Sequence, residues 1–417
     1  MTELEEIKSF YRAVQPDCTE FCKTTAPLNE FWGGVNQRQS RDIFNNASTL
    51  EEVVQAAQRT YMFSINPPSS PPVHHAVKWT LHERHVHLVG CDTLLGIEES
   101  PYSAPETVVE MYGKRYTPDL LRCVNIAQSL LSAIRWAQDL RVVELGGGLG
   151  HLARVLHLSK YVKQHIIIDL PETLVFSYAF LRKNFPDVKI ELATSGTYMI
   201  GDDAAFVFVP VAYADCILDE RSVDLFINTA SMGEMRNETI RYWMSFVQQK
   251  LNPDYLFTLN RFLNTLGPGL TWRLMENECQ QHYDNRWSVL RWQLEPWYLR
   301  CPYVDTLASR CVEILARRTG GAVGLSEGFV EGLEAEDWWR LRHEGHVMGM
   351  RDNPICVNGG ESGTLFKLWE RLRLAPSVTA VDMMVTYLQK LNRDPTHPFE
   401  ELDYYARLGN SLALQGR

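Results

Sequence analysis

The chain has 417 residues, 45% of them hydrophobic, with 41 basic against 51 acidic side chains for a net charge of −10. That length gives room for two or three domains and at least one large core. An acidic balance without a Lys/Arg cluster excludes a phosphate-backbone partner, so no nucleic acid is expected, and no stretch reaches the roughly 20 apolar residues of a membrane span.

The first residues, MTELEEIKSFYRA, are acidic and amphipathic, with neither the basic nor the apolar segment of a signal peptide. The nine cysteines are scattered and form no CxxC pair, which reads as free thiols in a reducing cytosol and so a cytoplasmic protein. SINPPSSPPVHH (64–75) is a connector that cannot continue a helix, and WTLHERHVHLVG (79–90) alternates as a strand does. TPDLLRCVNIAQSLLSAIRWAQDL (117–140) predicts a helix, with Thr117 as N-cap and Pro118 in its first turn.

Short apolar runs then alternate with helical patterns. Strands are expected at 141–145, 165–169, 205–211, 223–228, 254–260, 288–294 and 311–318. The alternation predicts an α/β fold, a Rossmann-like doubly wound and mostly parallel sheet of seven strands, with largely helical additions at both ends. Residues 319–417 read as helical. The expected domains are 1–118, an accessory region that covers substrate, 119–318, the sheet domain, and 319–417, a helical region that covers a site or makes a homodimer.

VVELGGGLG (142–150) joins the first sheet strand to a helix. Gly148-Leu149-Gly150-His151-Leu152-Ala153 fits G-x-G-x-x-A, a form of the dinucleotide fingerprint, and Asp169 follows where an acid would hold a ribose. An NAD(P)-dependent oxidoreductase therefore stays open. Glu144 pulls against it, because an acid near a pyrophosphate is unfavourable while a cationic cofactor welcomes one.

VVELGGGLG followed by IIIDLPETL resembles the class I S-adenosylmethionine-dependent methyltransferases, in particular small-molecule O-methyltransferases whose second strand ends in Asp-Leu-Pro. DLFINTASMGEM (224–235) is similar to the sugar O-methyltransferase family, where an Asn-Thr-x-Ser-Met/Phe-x-Glu-Met phrase closes the fourth strand. The resemblance covers roughly residues 110–318. It implies S-adenosyl-L-methionine as cofactor. Gly146, Gly147, Gly148 and Gly150 would let the backbone approach it, beside Glu144, and Asp169, followed by Leu170, would take the two ribose hydroxyls. Asp169 as a helix cap is the blander alternative. Pro210, at the third strand's end, would touch adenine or simply stop the strand. Asn228 and Thr229 would lie near the methionine part. Tyr112 or Arg115 would pair with the cofactor carboxylate, or belong to a surface loop.

A sugar hydroxyl needs a base or a metal to lose its proton. In NECQQHYDNRW (277–287), His282 is the candidate base and Asp284 its orienter or a metal ligand. Glu234 either reaches substrate or, more simply, closes a capping box with Ser231. Asn260 and Arg261 would hold substrate hydroxyls or a phosphate, and Trp287 would stack on a sugar ring or sit in the core. A divalent metal is conceivable, but no ligand set stands out, and HEGH (343–346) lacks the HExxH spacing. Phenol methyltransferases place a His after the fourth strand, and NTASMGEM has none. The expected reaction is methyl transfer to a hydroxyl of a sugar, glycan or glycosylated metabolite. A non-sugar small molecule, methylated on O or N, is the alternative.

Overall fold

The computed structural model describes residues 2–28, 31–59, 94, 96–111, 113–134, 137–218, 221–261, 263–266, 273–276, 286–294 and 311–318. The strand expected over 79–90 and the helices expected after 318 lie outside them. The described residues fall into two compact units, one within Met1–Ser231 and Glu238–Asp254, the other within Met232–Asn237 and Tyr255–Arg417.

In the first unit the chain opens with helices α1 (Glu3–Thr24), α2 (Gln37–Asn46) and α3 (Leu50–Gln58). Helix α1 is capped by Thr2, whose hydroxyl accepts from the Glu5 amide at 3.2 Å, and α3 by Thr49, which accepts from Glu52 at 3.1 Å. A small hairpin, β1 (Val109–Met111) and β2 (Lys114–Tyr116), turns at Gly113, where φ is 72°. Helix α4 (Pro118–Ala133) begins as expected, with the Thr117 hydroxyl accepting from the Leu120 amide at 3.1 Å, but it stops short of residue 140.

Then come β3 (Leu140–Leu145), α5 (His151–Leu158), β4 (Val162–Asp169), α6 (Pro171–Asn184), β5 (Ile190–Leu192), β6 (Phe206–Pro210), β7 (Leu225–Thr229) and α7 (Asn237–Ser245). The five strands pair in parallel in the order β5-β6-β4-β3-β7. Every residue of β3 and of β6 is buried, as apolar runs covered on both faces must be. The chain leaves β3 toward β4 on one side and returns to β7 on the other. The carboxyl ends of β3, β4 and β7 therefore flank a topological switch point, where such sheets bind ligands.

Helices α4, α5 and α6 share one face. Arg154 donates to Asn184 at 2.9 Å, and the His151 ring meets Phe180 edge-on at 4.7 Å. Helix α1 packs on α6 through a stripe of Leu4, Ile7, Phe10, Tyr11, Val14 and Cys18, spaced by threes and fours. Phe44 of α2 lies between Tyr11 and Phe176, with ring centroids 4.8 and 6.4 Å away. The far end of this segment reaches the opposite face. Phe21 touches Tyr242 and Trp243, and the Thr239 hydroxyl donates to the Pro27 carbonyl at 2.7 Å. Helix α1 thus crosses the carboxyl ends of β4 and β6.

In the second unit, β8 (Tyr255–Arg261), β11 (Trp287–Leu294) and β12 (Cys311–Arg318) run antiparallel with β12 between the others. A hairpin of β9 (Leu263–Leu266) and β10 (Arg273–Glu276) follows β8. All seven expected strands are present, and the fold is the doubly wound, mostly parallel class expected from the sequence. The three-residue edge strand β5 is not among them. Among the described residues no helix is long and apolar enough to cross a membrane.

Candidate functional site

The turn after β3 is held by its own amides. Gly146 donates to the Ile168 carbonyl at 2.8 Å, Gly148 to the Asp169 carboxylate at 3.2 Å, and Gly150 to the Gly147 carbonyl at 2.9 Å. Gly146 has φ of 77°, and a Cβ there would lie 2.1 Å from Ser231 Oγ. Backbone and packing each demand glycine at that position. A Cβ on Gly147 would come within 2.8 Å of Ile167 Cγ2, so the turn rests directly on β4.

Asp169 bridges the turn to the next helix. One carboxylate oxygen accepts from Gly148 and the other from the Leu170 amide at 2.7 Å. Burial pushes this carboxyl up to about 7; the Leu170 and Gly148 amides pull it down, and the nearby Glu144 carboxylate raises it further. The cap expected as its blander role is not what the helix shows: Leu170 is the N-cap of α6, without a side-chain cap hydrogen bond, and Pro171 opens the helix.

Glu144 is 1% exposed and accepts a 2.9 Å hydrogen bond from His165 Nε2. The two lie on β3 and β4, where Glu144 stands opposite Ile167, two residues beyond His165 and on the same face. The carboxylate therefore points into the sheet interior beneath the turn, a partner the sequence did not announce.

The Asn-Thr-Ala-Ser phrase latches the end of β3. The Asn228 side-chain amide donates to the Leu145 carbonyl at 2.8 Å and to Ser231 Oγ at 2.6 Å, and Ser231 donates to the same carbonyl at 3.1 Å. Ala230 takes φ of 64°, in the left-handed region, to make the bend. This corrects the capping box expected of Ser231 and Glu234. The Ser231 hydroxyl is spent on Leu145, Met232–Glu234 forms a short 3-10 turn, and the helix begins only at Asn237. Thr229, half-buried, ends β7.

Two elements border this cradle. Pro210 ends β6 and is buried, leading into the 3-10 turn Val211–Ile217. Helix α1 lies over this end of the sheet. The Tyr11 hydroxyl donates to Glu172 at 3.5 Å, three residues past Asp169, and the Tyr213 hydroxyl, three past Pro210, donates to Asp17 at 2.5 Å. Burial raises Glu172 above the ordinary range, against the pull of its own amide, Arg41 and Tyr11.

On the helix side of the turn sits Glu99, which the sequence reading missed. It is buried and accepts from the Ser100 amide at 2.8 Å, from the Ser103 hydroxyl at 2.9 Å and from the Thr117 hydroxyl. His151 Nε2 lies 3.8 Å away. Burial acts to raise Glu99, but His151, Arg154 and the Thr117 bond outweigh it and hold the carboxyl below its usual range. Arg115 is half-buried; its amide donates to Glu98 at 3.4 Å and its carbonyl accepts from the Glu99 amide at 2.8 Å. Tyr112 lies outside the described residues.

In the second unit, Asn260 is buried at the end of β8, and its side-chain carbonyl accepts from the Gly233 amide at 2.8 Å. It thereby holds the turn that carries Glu234. Arg261 ends the same strand. Trp287 is wholly buried on β11, so its ring has no open face for a sugar; the core reading fits it. His282 and Asp284 lie outside the described residues. No group of three or more acidic, His or Cys side chains forms a metal cluster among the described residues.

Two carboxylates thus sit at the floor and edge of a glycine turn, and three of the turn's amides are already engaged. That is a poor cradle for a pyrophosphate, which needs free amides and no nearby anion.

No family model matches the chain, and no curated protein does. Among solved structures, it is similar to Haemonchus contortus phosphoethanolamine N-methyltransferase 1 in complex with phosphoethanolamine and S-adenosylhomocysteine, at 13% identity over 54% of this chain and 49% of that one, TM-score 0.34. It is also similar to M. capricolum TrmK in complex with S-adenosylhomocysteine, at 8% identity over 67% of this chain and 97% of that one, TM-score 0.31. A SAM-dependent methyltransferase from Aquifex aeolicus shares 13% identity over 46% of this chain and 89% of that one, TM-score 0.28. Likenesses this slight bear on neither substrate nor site residues.

Proposed function

We propose that the protein is an S-adenosylmethionine-dependent methyltransferase. One observation carries the reading: Asp169 ends β4 with its carboxylate hydrogen-bonded to the glycine turn of β3, while Glu144 lies beneath that turn. A nucleoside with a cationic tail suits this charge, and a dinucleotide phosphate does not. Asp169 would exchange its amide partners for the ribose hydroxyls, two acceptors facing two donors. Leu170 and Pro210, at the ends of adjacent strands, would border the base. The Gly146–Gly150 backbone would lie along the amino acid part, with Thr229 beside it.

S-adenosylmethionine supplies the electrophilic methyl group when bound. The chain must then align the acceptor, exclude water and remove the acceptor's proton. Helix α1, lying across the ends of β4 and β6, supports water exclusion. For the proton we propose His282, oriented by Asp284, with Glu234 and Asn260 near the acceptor. The acceptor proposed is a hydroxyl of a sugar, glycan or glycosylated metabolite, on the strength of the Asn228–Met235 phrase alone.

Isothermal titration with S-adenosylmethionine tests the cofactor. Micromolar binding is expected, lost in Asp169→Ala; absence of binding by the wild type, or binding unaltered in the variant, would refute the reading. An acceptor panel scored by mass gain tests the sugar. His282→Ala is expected to abolish turnover while leaving cofactor affinity intact, and full activity would remove His282 from the mechanism.

A further inference from the structure

We infer that Glu144, held in place by His165, is a selectivity residue that favours the cationic sulfonium cofactor over its neutral thioether product. The inference rests on the methyltransferase reading. A carboxylate can only accept, so the 2.9 Å contact fixes the proton on His165 Nε2 and pins Glu144. Both side chains are buried, at 1% and 0% exposure. A Cβ on Gly147 would lie 3.5 Å from Glu144 Oε2, so the carboxylate sits against the underside of the turn. His165 Nδ1 is buried without a hydrogen-bond partner among the described residues, which leaves the bond to Glu144 as the ring's polar contact.

The titratable groups around the pair come from three further places. Asp169 stands at the end of β4, Cys123 faces Glu144 from α4, and His157 faces His165 from α5. Burial raises both Asp169 and Cys123, and the Glu144 charge adds to each. The field of this carboxylate bears on the floor of the turn, which it lies against. A positive centre above the turn gains from that field. Methyl transfer breaks the carbon–sulfur bond, forms the acceptor–carbon bond and leaves sulfur neutral, so the product loses the gain. The pair thus separates cofactor from product by charge alone.

The test is the ratio of S-adenosylmethionine to S-adenosylhomocysteine affinity, measured by calorimetry on the full chain beside a thermal melt. Glu144→Gln keeps an acceptor for His165 and removes the charge. It is expected to shift the ratio by about fivefold to tenfold against S-adenosylmethionine, the size of one partly screened charge, with product affinity little changed. His165→Gln keeps a donor and should keep the ratio. His165→Leu removes the donor that holds Glu144 in place, and the ratio should fall. An unchanged ratio in Glu144→Gln overturns the inference, whether both affinities hold or both fall together. Failure of the wild type to bind either ligand would instead defeat the methyltransferase reading itself.

Discussion

The Asn228 side chain reaches back to the last residue of the neighbouring strand, donating to the Leu145 carbonyl at 2.8 Å. The glycine turn begins at the next residue. The NTAS phrase is therefore a brace that sets where the turn starts. Asn228→Ala removes one of two side-chain donors to that buried carbonyl and should cost about 1–3 kcal/mol. Chemical denaturation measures it, and cofactor affinity should fall with it.

Gly146→Ala should be worse. The new methyl would fall 2.1 Å from Ser231 Oγ, in a backbone conformation at φ 77° that side chains resist. A loss of about 2–4 kcal/mol is expected, with cofactor binding gone. Ser231→Gly in the same chain relieves the clash but not the dihedral. Partial recovery of the melting temperature is the expected reading, and full recovery would show that the dihedral costs nothing.

Asp169 sets stability against binding. Its carboxyl is raised to about 7 in the folded protein, so the folded state holds that proton more tightly than the unfolded chain. The contribution is complete below roughly pH 4 and is lost as pH rises through 7. Asp169→Asn removes the penalty of the buried charge. The variant should melt higher than wild type at pH 8, by up to a few kcal/mol, and lose most of the difference by pH 4. Its cofactor affinity should drop about tenfold to hundredfold. Melts at the two pH values, with titrations at pH 8, check both halves.

Phe44 anchors α2 between Tyr11 of α1 and Phe176 of α6, and is 1% exposed. Phe44→Ala should cost about 3–5 kcal/mol. It should also loosen α1 over the strand ends, so protease cleavage within residues 3–24 should appear in the variant before global unfolding. Cleavage only at the unfolding midpoint would show that α1 does not depend on this contact.

The strands were legible because apolar runs such as IIID and FVFVP are short, β-branched or aromatic, and interrupted by helical patterns. β5 was not: Ile190–Leu192 is half-buried and short, with no run to see. The apolar stripe of α1 could be read in sequence, but its destination could not, because Tyr11 meets Glu172 161 positions away. The glycines and Asp169 announced themselves by spacing. Glu144 stands out beside the glycines, yet its partner follows only from the parallel register, which places His165 on the same face of the next strand. Glu99 lies in IEESPYSAPET, a stretch without periodicity, and nothing local marks it as a hub.

That hub bears on where the chain can be cut. Glu99 ties the residues before α4 to His151, the first residue after the glycine turn, through a carboxylate with no access to water. A fragment starting at residue 119 would keep the glycines of the turn and Asp169 yet leave His151 and Arg154 without the anion they face. The smallest autonomous piece of this protein therefore includes the segment around Glu99, and a shorter expression fragment should emerge insoluble even with its ligand-binding sequence intact.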